Sequence, residues 1–255
     1  MEQGLQRPER THCLNCDGPL NGPYCPDCGQ KRDLPDFTWH FLLQELPASL
    51  FQVDRGIWYT IRQLFTRPGH AIRDYLAGKR VRYFRPISLL VLSAGLYGFL
   101  GLFLDMELPG LKMDDAQMKV IEVINRHYAL VELVLLPFIA FGTWLFFRRS
   151  GYNFVEHLVL NAFLGAQRVI VTLALLPAMF AMNGSPLLFG IATAGNVISM
   201  GLFVWALVQL FQERSAVSVL FRSLGAFALS YFLLGVAVVL GVVALIIAQN
   251  EFGLF

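Results

Sequence analysis

Residues 154–182 read FVEHLVLNAFLGAQRVIVTLALLPAMFAM, and this stretch decides the fold. A helix needs about 20 mainly apolar residues to cross the hydrocarbon core of a bilayer, and the run is long enough. It is also unusually polar for a span, with Glu156, His157, Asn161, Gln167 and Arg168. Ionisable groups in hydrocarbon are costly, so they mark candidate functional positions. His157, Asn161, Gly165 and Arg168 recur at i, i+4, i+8 and i+11 and share one helix face. Glu156 and Gln167 lie beside that stripe. A polar stripe in a span faces a bundle interior or a wet cavity. We therefore read Glu156, His157, Asn161, Gln167 and Arg168 as a candidate polar pocket, open to the cytoplasm and suited to an anionic ligand such as a lipid headgroup. The competing reading is local: Glu156 bridges Arg148 and Arg149, His157 bonds nearby and Arg168 snorkels. Glu132, four residues inside Tyr128 at the opposite end of its own run, looks mismatched in depth with Arg168.

Four further runs flank this one: residues 87–104, 128–147, 187–211 and 224–248. The composition agrees. Apolar residues make up 56% of the 255 positions and charged residues 15%, against roughly 25% charged in an ordinary soluble domain. Mean hydropathy is +0.55. A disordered chain, a coiled coil and a disulfide-rich secreted module are excluded. The expected fold class is an all-α membrane protein with about five transmembrane helices. Gly95, Gly98 and Gly101, then Gly190, Ala194, Gly195 and Ser199, then Gly235 and Gly241 read as small residues for close helix packing.

The basic residues set orientation. Residues 1–85 hold 12 of the 20 Lys and Arg. Lys79, Arg80, Arg82 and Arg85 precede the first run, Arg148 and Arg149 follow the second, and Arg214 and Arg222 follow the fourth. Loop 105–127 carries five acids against three bases. By the positive-inside rule the N-terminus is cytoplasmic and the C-terminus outside.

Cys13, Cys16, Cys25 and Cys28 form two Cys-x2-Cys knuckles eight residues apart. Each knuckle offers two sulfurs, and together they complete a tetrahedral thiolate site of the kind zinc accepts. Gly29 permits the sharp turn after the second knuckle. Two disulfides would need an oxidising compartment, and residues 1–10 have no apolar run of a signal peptide. Iron in a rubredoxin-type site is the weaker competitor. Structural zinc is the expected cofactor. So short a ribbon has almost no core, and the metal supplies its folding energy.

Residues 33–85 belong to neither unit. Phe37, Trp39, Phe41, Leu42, Leu43, Leu46, Leu50 and Phe51 suggest one apolar helix, and Ile57, Trp58, Ile61, Leu64 and Phe65 another that ends at Pro68-Gly69. Both read as interfacial amphipathic helices with aromatic anchors. Lys79, Arg80, Arg82 and Arg85 form a basic collar. Beside a span, its nearest partners are anionic headgroups and not nucleic acid. Its simplest role is to enforce orientation. The expected organisation is a cytoplasmic zinc ribbon over 1–32, interfacial helices and collar over 33–85, and a transmembrane bundle over 86–250.

Three elements carry a family resemblance. They are Cys25-Pro26-Asp27-Cys28-Gly29-Gln30; Thr60 with Leu64-Phe65-Thr66-Arg67-Pro68-Gly69 and Ile72-Arg73-Asp74-Tyr75-Leu76-Ala77-Gly78-Lys79-Arg80; and Tyr152-Asn153-Phe154-Val155-Glu156-His157-Leu158-Val159. Together they resemble a bacterial polytopic membrane-protein family catalogued as domain of unknown function 3667. The resemblance implies a bacterial inner-membrane location, this architecture and a cytoplasmic ribbon, and it implies no activity. Phe163 and Gly165 stand where some members carry extra histidines, which weakens any multi-histidine metal site.

Function therefore divides into two classes. The first is a non-enzymatic membrane module (scaffold, pore or transport-related) whose ribbon docks a cytoplasmic protein partner or gates the bundle, as a monomer or a homo-oligomer. The second is a lipid-handling protein or intramembrane enzyme that uses the pocket on the third run. No serine or cysteine nucleophile motif and no Gly-rich nucleotide loop supports catalysis.

Overall fold

The computed structural model describes residues 10–39, 56–103, 114, 123–124 and 126–252, with the last helix described beyond Leu240 by its backbone alone. Phe41, Leu42, Leu43, Leu46, Leu50 and Phe51, and most of loop 105–127, lie outside the described residues. Among those described, the protein is all-helical apart from two isolated β-bridges in the cysteine ribbon. Its helices are α1 (Ile57–Thr66), α2 (Pro68–Leu76), α3 (Pro86–Gly101), α4 (Tyr128–Phe147), α5 (Phe154–Ala181), α6 (Leu187–Leu210) and α7 (Ala216–Phe252). Four of them, α4 to α7, are long and apolar enough to cross a membrane. The shorter apolar α3 has 16 residues. At about 1.5 Å per residue it is roughly 24 Å long, less than the ~30 Å hydrocarbon core.

Helix α5 is the centre. It packs against α3, α4, α6 and α1, while α7 covers α4 and α6. In its most apolar window 61% of residues are buried, against 11% for α6, which turns most of its surface outward. The sequence starts α5 firmly. Gly151 turns the chain at φ 86°, a conformation that favours glycine. The Asn153 side chain then accepts from the Glu156 amide at 2.9 Å, and the Glu156 carboxylate accepts from the Asn153 amide at 2.7 Å. This reciprocal capping box satisfies two free donors of the first turn.

Three expectations are corrected. Pro68-Gly69 opens α2 and does not merely end α1. Proline at the first helical position sacrifices no intrahelical bond. The α1–α2 pair is also docked on the bundle. Gly69 is buried against α6, its amide donates to Gln209 Oε1 at 3.0 Å, and a Cβ there would strike the Ala206 carbonyl. Only the outer face of α1 suits an interface, where Trp58 is 79% exposed. Finally, Arg222 is not a loop residue. It lies on α7, which begins at Ala216, and its guanidinium donates to the Phe146 carbonyl at 2.6 Å, capping the end of α4.

Of the predicted small residues, Gly195 of α6 does make a close approach, since a Cβ there would meet Leu175 of α5 at 2.7 Å, but four others do not. Gly95, Gly101, Gly190 and Gly235 face open space, and a Cβ there meets nothing. A tight contact outside the predicted set is Gly142 of α4, where a Cβ would meet the Ala226 carbonyl and Ser230 Oγ of α7. We expect Gly142→Val to force α4 and α7 apart at about 1–3 kcal/mol, lowering the melting temperature in detergent by several degrees. Gly95→Val should leave it unchanged. Equal effects from the two substitutions would show that α4 and α7 do not touch there.

Candidate functional site

The four cysteines form one cluster whose sulfurs all lie within 4.8 Å of one another. The Cys13–Cys28 and Cys16–Cys25 sulfurs are 3.6 and 3.5 Å apart. That is far longer than a disulfide, at about 2.05 Å. It is close to the ~3.8 Å sulfur–sulfur edge of a tetrahedron with metal–sulfur bonds of about 2.3 Å. The donor set therefore fits a metal ion.

The two knuckles superimpose as a repeat offset by twelve positions. Cys13 and Cys25 donate backbone N–H to Gly18 O and Gln30 O, and Asp17 and Gly29 donate to Cys13 O and Cys25 O. The bridges His12–Pro19 and Tyr24–Lys31 repeat the same offset. Asp17, at φ 61°, fills the left-handed place that Gly29 fills at φ 75° in the second knuckle.

The thiols differ in acidity. Burial opposes ionisation of Cys13, yet backbone amides at Cys16 and Asn15 and the thiols of Cys28 and Cys25 outweigh it and bring Cys13 to about 7. At Cys16 the Gly18 amide favours the thiolate, but the crowding thiols, Cys25 first, push it up to about 12. Four sulfurs this close cannot all ionise unless a cation is among them.

The ribbon is sewn to the bundle. Arg80 stacks its guanidinium 4.0 Å over the Phe37 ring, its amide donates to Gln30 Oε1 at 3.2 Å, and its side chain donates to Pro35 O. Phe37 packs on Tyr75 of α2, which meets Phe163 of α5 edge-on at 5.1 Å. Gly78, at φ 102°, leaves room for Leu14 and Leu34. Among the collar residues, then, Arg80 is turned inward and Lys79 pairs with Asp74 at 2.9 Å. Arg82 is exposed, and Arg85 precedes the first turn of α3.

Inside the bundle is a cavity of about 300 Å³ among α3, α4, α5, α6 and α7. Its wall is apolar on most sides (Leu90, Leu136, Ile139, Leu164, Met200, Phe203, Phe227) and polar at Glu132, Asn161, Arg168, Asn196, Ser199 and Tyr231. Arg168 donates to Glu132 at 2.5 Å, with the Glu132 side chain only 3% exposed. The expected mismatch in depth is thus corrected. Glu132 lies fifteen residues from the ribbon end of α4 and Arg168 fourteen from the ribbon end of α5. Both are about 21–23 Å in, at 1.5 Å per residue.

Nearer the ribbon end, Thr143 Oγ1 donates to Ala140 O at 3.0 Å and accepts from Asn161 Nδ2 at 2.7 Å. With its one proton spent, it also accepts from His157 Nδ1 at 3.2 Å. That assignment puts the His157 proton on Nδ1. The buried His157 Nε2 and Asn161 Oδ1 have no partner among the described residues, each a cost of about 1–3 kcal/mol.

Of the five residues of the predicted pocket, Asn161 and Arg168 line the cavity. Glu156 is spent on the α5 cap, His157 cross-links α4 and α5, and Gln167 donates to Leu64 O at 2.7 Å and clamps α1. Asn196 and Tyr231 sit alone in apolar helices and form no stripe, and Ser199, expected as a small packing residue of α6, lines the cavity instead. Only Glu132, already noticed as an acid within a span, carried a signal.

Residues 54–98 match the family model described as Protein of unknown function (DUF3667), a stretch that includes α1, α2, the collar and most of α3. No curated protein and no solved structure gives a significant match.

The cluster yields a direct expectation. Purified protein should carry one tightly held metal ion per chain by elemental analysis, and the paired Cys13→Ser and Cys25→Ser substitutions should remove it. Stoichiometric metal in that double variant would mean that the ion sits elsewhere.

Proposed function

We propose that this chain is a non-enzymatic, transport-related membrane module whose cavity holds a small polar ligand beside Glu132 and Arg168. In this reading the cysteine ribbon is a structural zinc site that gates the ribbon end of the bundle. The observation that carries it is the cavity wall: apolar on most sides, with one opposite-charge pair and Asn161, whose buried Oδ1 has no partner among the described residues. Such a wall binds through a few placed polar groups. Four thiolates leave a metal no open coordination position, which supports a structural ion, and zinc is the ion they suit best. The Arg80–Phe37 contact supports gating, since it ties the metal-folded unit to α2. Arg148, Arg149 and Arg214 lie at the ribbon end, which supports a cytoplasmic ribbon in a bacterial inner membrane.

A second reading, lipid handling, is favoured by one observation. Asn196 lines the cavity yet is exposed on α6, a helix that turns most of its surface outward. The cavity would then open sideways to lipid.

One labelling experiment separates these readings. Ser199→Cys is placed in the cavity wall, the protein is reconstituted with its metal, and modification of that cysteine is read by peptide mass spectrometry. The transport-related reading expects a charged, water-soluble thiosulfonate to label it, faster after Arg80→Ala loosens the ribbon. Labelling by apolar maleimides alone would favour the lipid-handling reading. No labelling by either reagent would remove the cavity as a ligand site.

A further inference from the structure

A second concavity, of about 370 Å³, lies at the ribbon end where α4 and α6 stop. Its wall includes Arg73, Arg149, Arg214, Tyr152, Gln212 and Glu213. Three guanidiniums against one carboxylate give it a net charge of +2. We propose that this groove is a phosphate site that holds the phosphodiester headgroup of an anionic membrane lipid.

The arginines have unequal jobs. Arg73 is fixed by the fold. Its guanidinium caps α6 by donating to Gln209 O at 2.9 Å and to Leu210 O, and it also donates to Gln212 Oε1 at 3.2 Å. It presents its remaining N–H groups from a rigid position. Arg149 and Arg214 have no side-chain partner among the described residues. They flank the groove from the turn Arg148–Ser150 and from the end of α6. Burial pushes the Tyr152 phenol up, with Arg73 opposing, so Tyr152 keeps its proton and can donate it. Guanidinium forks match phosphate oxygens geometrically as well as electrostatically. Glu213, on the same wall, disfavours a bare polyanion and favours a ligand of low charge such as a phosphodiester.

The level of the groove selects a lipid. α4 is apolar up to Phe147 and α6 up to Leu207, and Trp144 lies in the last turn of α4 and Trp205 in the last two turns of α6, exposed at 38%. Tryptophans on the outside of membrane proteins concentrate at the headgroup layer. A phosphate lying in that layer is delivered by the bilayer itself. This differs from the expected collar, where Lys79 is paired and Arg80 is spent on Phe37.

The test uses the full chain in nanodiscs of phosphatidylcholine with and without phosphatidylglycerol. Native mass spectrometry counts retained phosphatidylglycerol per chain, for wild type, for Arg149→Gln with Arg214→Gln, and for Arg149→Lys with Arg214→Lys. The proposal expects one retained phosphatidylglycerol in wild type, an apparent affinity lower by about tenfold or more in the glutamine pair, and intermediate retention in the lysine pair. Equal retention in all three would overturn it. So would thermal protection by inorganic phosphate in phosphatidylcholine discs that the glutamine pair abolishes while phosphatidylglycerol retention stays unchanged. That outcome would assign the groove to a soluble phosphate. Should the glutamine pair fail to fold, loss of the lipid from the lysine pair would also count against the proposal, because charge is kept there.

Discussion

The ion pair between Glu132 and Arg168 is the constraint on which the bundle depends. A lone charge within a membrane is expensive, and each of these two is tolerable because the other is there. The pair fixes the register of α4 against α5. With Glu132 and Arg168 level, Thr143 falls level with His157 and Asn161 nearer the ribbon end. The α4–α5 seam is therefore polar at two depths. At the lower depth Thr143 and His157 are buried, and Asn161 reaches from there to the cavity wall. The upper depth opens into the cavity. One register thus sets both the rigidity of the bundle and the place where something can bind.

The polar front of the chain is part of this architecture and not a tethered accessory. The ribbon's own buried core is little more than its cysteines and Leu20, so a metal must supply most of its folding energy. That energy reaches the bundle through few contacts: Arg80 on Phe37, Phe37 on Tyr75, Tyr75 on Phe163. Loss of the metal would loosen the Gln30–Arg80 and Leu14–Gly78 contacts that hold the ribbon to the collar.

Much of this was legible in the sequence, for reasons that can be named. Apolar runs report helices in lipid because every backbone polar group must bond within its own segment. Two Cys-x2-Cys pairs report a metal because four sulfurs at that spacing have few other uses. What escaped was tertiary. Pro68-Gly69 reads equally as a helix stop or a helix start, and only docking of Gly69 on α6 decides between them. Glu156 looks like a buried charge until Asn153 turns it into a cap. Glu132 looks out of level with Arg168 because it stands near the start of α4 while Arg168 stands mid-way along α5. Counting both from the ribbon end removes the mismatch. Asn196 and Tyr231 carry no pattern at all, and Ser199 reads only as a small packing residue, since single polar residues in apolar helices become a site only when those helices meet.

The most direct test of the account is a double-mutant cycle on Glu132→Gln and Arg168→Gln, read as thermal stability of the metal-loaded protein in nanodiscs. Arg168→Gln leaves Glu132, 3% exposed, as an uncompensated buried charge and should cost about 3–5 kcal/mol; Glu132→Gln leaves the one-third exposed Arg168 and should cost less; the double variant should recover much of the larger loss. Additive losses, or a double variant worse than either single, would contradict a bundle built around this pair.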